Sequence, residues 1–168
     1  PYHNGVTAEN VAEKYNVTRQ EQDQYALESH LRAAAAIEAG KFKDEILPVE
    51  LKDRKGNITV FDTDEGPRSS QTIEKLERLK PCFVKDGTVT AGNSSSLNDG
   101  AAAVVVMSRE KADALGVKPL LTIKGCTVAG NDGAVMGYAP KLSSEKLAAK
   151  LGLDLKAIDK VGGQAVLG

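Results

Sequence analysis

Apolar positions recur at helical spacing through the first forty residues, alternate briefly around Ile58, and then gather into one unbroken run from Ala101 to Met107. Thr7 is placed to cap a helix over Ala8–Tyr15, with Val11 on its inner face, and Asn16-Val17 breaks it. Thr18 and Glu21 form a capping box opening a longer helix, which Gly40 ends. Within it Tyr25, Leu27, Leu31 and Ile37, amid Ala33 to Ala36, predict one apolar face with room for close helix packing. Glu45–Leu51 and Asn57–Phe61 flank Asp53-Arg54-Lys55-Gly56, a hairpin signal, and Pro48 points to an edge strand.

The turn Gly66–Ser70 leads into a short helix, Gln71–Leu79, and Thr88–Thr90 is β-prone. A polar turn, Gly92–Ser96, follows, and Ser96 with Asp99 predicts a short helix starting near Leu97. Arg109–Leu115 reads as a surface helix stopped by Gly116, and Pro119–Val128 as a strand. After the loop Ala129–Gly133, Ser143 or Ser144 is placed to cap a helix over Glu145–Leu151. A further short helix spans Leu153–Ala157, and Ile158–Val161 opens another strand. Helices, then a hairpin, then alternating strand and helix argue an α/β class with an inserted α+β lobe.

Composition narrows the function classes. The 168 residues are 41% hydrophobic, enough for one domain with a core or a core plus a lobe. With 22 basic and 23 acidic residues the net charge is −1, and no basic block interleaves with aromatics, so neither nucleic acid nor a membrane is an expected partner. No apolar run reaches membrane-spanning length. Cys82 and Cys126, without a second Cys or a His at ligand spacing, give neither a disulfide framework nor a metal site and point to a reducing compartment.

The candidate chemistry centres on Gly87 to Ser108. Gly92 and the three serines Ser94, Ser95 and Ser96 let the backbone approach a ligand closely, while the same stretch also reads as a tight corner with no ligand. Arg68 is a phosphate contact or an exposed surface arginine. His30 reads as a solvated or core imidazole rather than a catalytic one. The acidic run Asp62, Asp64 and Glu65 reads as a solvated loop.

The segment from His3 to Ala12, His-Asn-Gly-Val-Thr-Ala-Glu-Asn-Val-Ala, resembles the His-Met-Gly-x-Thr-Ala-Glu-Asn-Val-Ala signature of thiolases. Lys80-Pro81, Asp86 to Asn93, and Asn98-Asp99-Gly100-Ala101-Ala102-Ala103 resemble the later Lys-Pro…Gly-Thr-Val-Thr-Ala-Gly-Asn-Ala-Ser-Gly-x-Asn-Asp-Gly-Ala-Ala-Ala signature of that family, and Val135-Met136-Gly137 resembles its following Met-Gly. Within the family the similarity points to the acetyl-CoA acetyltransferase branch, and it covers nearly the whole chain, from Tyr2 to Val161.

The resemblance implies a thiolase-like α/β fold, part of the N-terminal α/β/α half with its inserted α+β loop domain. Residues 1–92 would be mostly the coenzyme A (CoA) loop domain, 93–117 the return to the N-terminal half, and 118–168 the start of the C-terminal half. Ser95 would lie against the pantetheine with Ser94 beside it, Arg68 and Leu79 at the nucleotide end, His3 along the pantetheine arm, and Met136 on the acyl pocket. The family's reaction is Claisen condensation of two acetyl-CoA, or the reverse thiolysis, through an acylated Cys and a second Cys paired with a His. Those catalytic residues are expected outside these 168 residues, which are expected to be inactive alone. A different class, a non-catalytic CoA-binding or scaffold module derived from a thiolase, stays open. The resemblance further implies acyl-CoA thioesters as substrates, no covalently bound cofactor, a homo-oligomer (dimer or tetramer), and a cytoplasmic or mitochondrial-matrix setting. Asn4, Ser94 and Ser96 depart from the family's Met, Ala and Gly and make the expected pocket more polar.

Overall fold

The computed structural model describes residues 2–159, which divide into two compact units, residues 12–95 and residues 2–11 with 96–159. Helix α1, Asn4–Tyr15, carries the chain across the first boundary. Its start corrects the expected cap. The His3 ring takes that role, its Nδ1 accepting the Gly5 N–H at 3.1 Å, and the helix begins three residues before Thr7. Thr7 is instead buried inside the first turn and donates its hydroxyl back to the Asn4 carbonyl at 2.7 Å.

In the unit Ala12–Ser95 the main element is α2, Arg19–Glu38, and its predicted capping box is present. The Glu21 N–H donates to Thr18 Oγ1 at 3.2 Å, and Glu21 Oε2 accepts from the Thr18 N–H at 2.8 Å. At the other end Gly40 has φ +67°, with Lys41 N–H on Ala36 O and Gly40 N–H on Ile37 O, a Schellman ending that needs the left-handed residue. The inner face differs from expectation. Tyr25 and Leu31 are exposed, and the face turned inward carries Asp23, Ala26, Leu27, His30, Ala33, Ala34 and Ile37.

Removing the cap with Thr18→Ala is expected to cost about 1 kcal/mol, read as faster amide exchange across the first turn of α2. The Glu21 carboxyl is held below its usual range by the Thr18 N–H first and the Thr18 hydroxyl second. A depressed folded-state value stabilises above the unfolded value and is lost as pH falls through the folded one. The first turn of α2 should therefore fray in acid, and Glu21→Gln, which removes the titrating acceptor of the Thr18 N–H, should flatten that dependence; an unchanged acid profile would remove the Glu21 carboxylate from the explanation.

Strands β1, Val49–Lys52, and β2, Ile58–Phe61, pair antiparallel with Val49 opposite Phe61 and Lys52 opposite Ile58. Asp53 closes the turn, its Oδ1 accepting from the Lys55 and Asn57 N–H groups at 2.8 and 2.9 Å. The Asn57 side-chain amide, then its backbone N–H, hold the Asp53 carboxyl below its ordinary range. The hairpin forms where expected, but its first strand begins at Val49 rather than Glu45, and every residue of both strands is exposed, so neither face is buried among the described residues. Helix α3, Ile73–Glu77, is capped by Thr72 and packs on α2, burying Leu76 completely. Thr88–Thr90 contributes only one bridge, Pro81 to Thr90, rather than a strand.

In the other unit, α4 (Arg109–Ala114) lies where the sequence predicts a surface helix stopped by Gly116, and the structure adds Ser108 as its cap. Two expectations fail there. No helix starts at Leu97, because the Ser96 hydroxyl donates to Asn98 Oδ1 at 2.5 Å instead of capping. Pro119–Val128 is not a strand: no described strand lies beside it to complete a ladder, and Leu120 and Leu121 stand exposed, as do Val104 and Val105 of the irregular apolar run Ala101–Met107. Residues 125–128 run along α5 instead, with Thr127 Oγ1 donating to Ser143 O at 3.0 Å and Lys146 Nζ to Val128 O at 3.0 Å.

Helix α5 is Ala139–Leu151, starting four residues before Ser143 because Pro140 is preorganised for a first turn. A short 3-10 helix, Gly133–Tyr138, leads into it, and another spans Leu155–Ala157 behind its cap Asp154. Ile158 is not in a strand, and residues 160 and 161 of that expected strand lie outside the described residues. No helix among the described residues is long and apolar enough to cross a membrane.

Candidate functional site

The expected ligand loop is fixed by a polar cluster that starts on α2. Arg19 and Asp23 stand one turn apart, and Arg19 Nε meets Asp23 Oδ2 at 2.6 Å with the carboxylate fully buried. The other Asp23 oxygen accepts from Asn93 Nδ2 at 3.0 Å. Asn93 in turn donates to Thr88 O at 3.0 Å and accepts the Thr90 N–H on its Oδ1 at 2.7 Å. One amide side chain thereby shapes residues 88–93 into a closed turn and ties that turn to α2.

The same arginine reaches α3. Its Nη2 donates to the carbonyls of Leu76 and Leu79 at 2.8 and 3.0 Å, satisfying oxygens at the end of that short helix. Gln22 adds a second tie, donating to Thr88 Oγ1 at 2.9 Å. Gly92 then lies directly against α3: a Cβ built there would sit 2.5 Å from Leu79 Cδ1 and 2.6 Å from Leu76 Cδ2. Among the described residues no buried side-chain polar atom is left without a partner, the condition for a buried ion pair to be tolerated.

The structure treats the predicted site residues unequally. It brings Leu79 against Gly92, two residues before Ser94, and leaves Ser94 and Ser95 exposed at the exit of the fixed turn. Arg68 belongs to the same unit but is held elsewhere, its backbone N–H donating to His30 Nδ1 at 3.3 Å. Its side chain is exposed and makes no ion pair among the described residues. An open cavity of about 460 Å³ lies beside Asn93, lined also by Tyr15, Asn16, Val17, Glu21, Gln22 and Tyr25, and it contains none of the predicted contacts.

His3 and Met136 belong to the other unit, where α1 links them. Asn10 Nδ2 donates to Ala134 O at 2.8 Å, and Asn131 Nδ2 to Val135 O at 2.9 Å. These two amides fix the carbonyls before Met136, whose neighbour Val135 is buried while Met136 itself stays partly exposed. Cys82 and Cys126 are exposed and unbonded to each other.

Sequence reasoning missed Arg19, Asp23 and Asn93, the residues that hold the loop. One signal was available: Asp23 shares the inner helical face with Ala26, Leu27 and Ile37, where an acidic residue needs a partner.

The chain is similar to known proteins along most of its length. Residues 1–110 match the family described as thiolase, N-terminal domain. An acetyl-CoA acetyltransferase of Pseudomonas aeruginosa is 52% identical over 160 residues, covering 95% of this chain and 41% of that protein. A beta-ketothiolase of Cupriavidus necator is 51% identical over 95% of this chain and 40% of its own length. Among solved structures, the acetyl-CoA acetyltransferase of Syntrophomonas wolfei superposes with a TM-score of 0.85 at 43% identity, over 94% of this chain and 39% of that one. Human mitochondrial 3-ketoacyl-CoA thiolase gives 0.82 at 44% identity, over 92% and 39%. The chain thus spans about two fifths of the length of the curated relatives it matches. Its fold is that of the corresponding α/β portion of these structures, and the chain belongs to the thiolase family.

Proposed function

We propose that these residues are the CoA-handling portion of a full-length acetyl-CoA acetyltransferase, which condenses two acetyl-CoA to acetoacetyl-CoA and CoA or runs the reverse thiolysis. Ser95 meets the pantetheine with Ser94 beside it, Arg68 and Leu79 line the nucleotide end, His3 lies along the arm, and Met136 walls the acyl pocket. The acylated Cys and the Cys–His pair are supplied by the rest of that enzyme. Acyl-CoA thioesters are its substrates, it needs no covalently bound cofactor, and it works as a homo-oligomer in the cytoplasm or mitochondrial matrix.

One observation carries the reading: the Ser94-Ser95 loop follows directly on a turn locked by Asp23 and Asn93. A loop held in one shape loses little freedom when an extended, flexible ligand arm settles on it. Small exposed hydroxyls there offer both close approach and hydrogen bonds to pantetheine amides. The test is Ser95→Ala in the full-length enzyme, assayed by thiolysis of acetoacetyl-CoA. Losing one neutral hydrogen bond should raise KM about fivefold at unchanged kcat. An unaltered KM would remove Ser95 from the binding surface. CoA binding with no turnover in the full-length protein would replace the enzyme reading with that of a binding module.

A further inference from the structure

We infer that His30 is a positioning residue for Arg68, holding the arginine that reads the nucleotide end of CoA; this rests on the reading of Arg68 proposed above. His30 lies half-buried on the inner face of α2 and, across 38 residues of sequence, accepts the Arg68 N–H on Nδ1. The turn that Arg68 begins is closed by its own carbonyl, which accepts from the Gln71 N–H at 3.2 Å. At its far side Lys75 Nζ donates to the Ser70 carbonyl. The turn is therefore tied to α2 at Arg68 and to α3 at Ser70, while the Arg68 guanidinium itself carries no ion pair among the described residues.

That combination suits phosphate recognition. A guanidinium already committed to a carboxylate would have to give up that partner, whereas a free one on a fixed backbone has only its own side chain to order. His30 supplies the fixed point, and it does so as an acceptor, which requires Nδ1 to carry no proton. The essential property at position 30 is thus a lone pair at the Nδ1 position, not a ring.

The experiment compares kcat/KM of the full-length enzyme for acetoacetyl-CoA and for acetoacetyl-pantetheine, which lacks the nucleotide. Arg68→Gln tests the underlying reading, His30→Leu removes the acceptor, and His30→Asn keeps one, since Asn Oδ1 falls where Nδ1 was. Arg68→Gln and His30→Leu should each lower the value for the CoA thioester about fivefold, with the pantetheine thioester within about twofold and His30→Asn recovering most of the loss. Activity on the pantetheine thioester also reports that each variant is folded. If Arg68→Gln matters and His30→Leu does not, or if His30→Leu lowers both substrates alike, the positioning role is overturned and the Arg68 reading stands. Failure of His30→Asn to recover would equally overturn it. If Arg68→Gln leaves the substrate ratio unchanged, the Arg68 reading fails and this inference with it.

Discussion

Asp23→Ala is expected to lower the opening free energy of α2 by about 3 kcal/mol, the low end of what breaking one side of a buried ion pair costs. The carboxylate is fully buried between Arg19 at 2.6 Å and Asn93 at 3.0 Å. Its removal takes from Arg19 Nε and from the Asn93 amide the carboxylate that each one meets. Arg19 softens the loss, because its side chain is 25% exposed and keeps the Leu76 and Leu79 carbonyls. Hydrogen exchange on the full-length enzyme isolates the effect to one unit, where a global melt would mix several transitions. Protection of the α2 amides should fall on the order of a hundredfold, with the α5 amides unchanged. A loss under about 1 kcal/mol would mean the cluster decorates the loop rather than holding it. Because Asn93 precedes the two serines, the same substitution should raise KM for acetoacetyl-CoA more than Ser95→Ala does.

Gly92→Ala should destabilise by about 2 kcal/mol through overpacking. The added methyl would lie 2.5 Å from Leu79 Cδ1 and 2.6 Å from Leu76 Cδ2, well inside van der Waals contact. Leu76 is completely buried and has nowhere to go, so Leu79, which is 36% exposed, must yield. A stability cost and a rise in KM are therefore expected together. Gly100→Ala is the control: no described residue lies within 4 Å of its Cβ position, and the change should be close to neutral. Equal effects at the two glycines would contradict steric contact as the cause.

Features written within a few residues were legible. The Thr18–Glu21 box, the Gly40 ending, the hairpin around Asp53 and the Gly116 stop after α4 all depend on neighbours in sequence, and all are present. Errors arose where distant groups decide the outcome. Thr7 has the right chemistry for a cap, but His3 stands earlier and serves. The stretch Pro119–Val128 has strand composition, yet a strand exists only when a second one supplies its hydrogen bonds. The site shows the same division. Family motifs singled out Ser94, Ser95, Arg68 and Leu79, whereas the Asp23–Asn93 bond joins residues 70 apart and leaves no local pattern.

The division of the chain also has a consequence for descent. Arg19, Asp23, Leu76, Thr88 and Asn93, together with both serines, fall within one uninterrupted stretch, Ala12–Ser95, while His3 and Met136 fall outside it. A single genetic exchange of that stretch between two thiolase genes would transfer the loop and its whole supporting cluster as one heritable block. The upstream join would fall inside α1, where two helical halves meet in phase and no linker has to be invented. Lineages can thus trade the stretch proposed to read the nucleotide while leaving Met136, proposed to wall the acyl pocket, under separate selection.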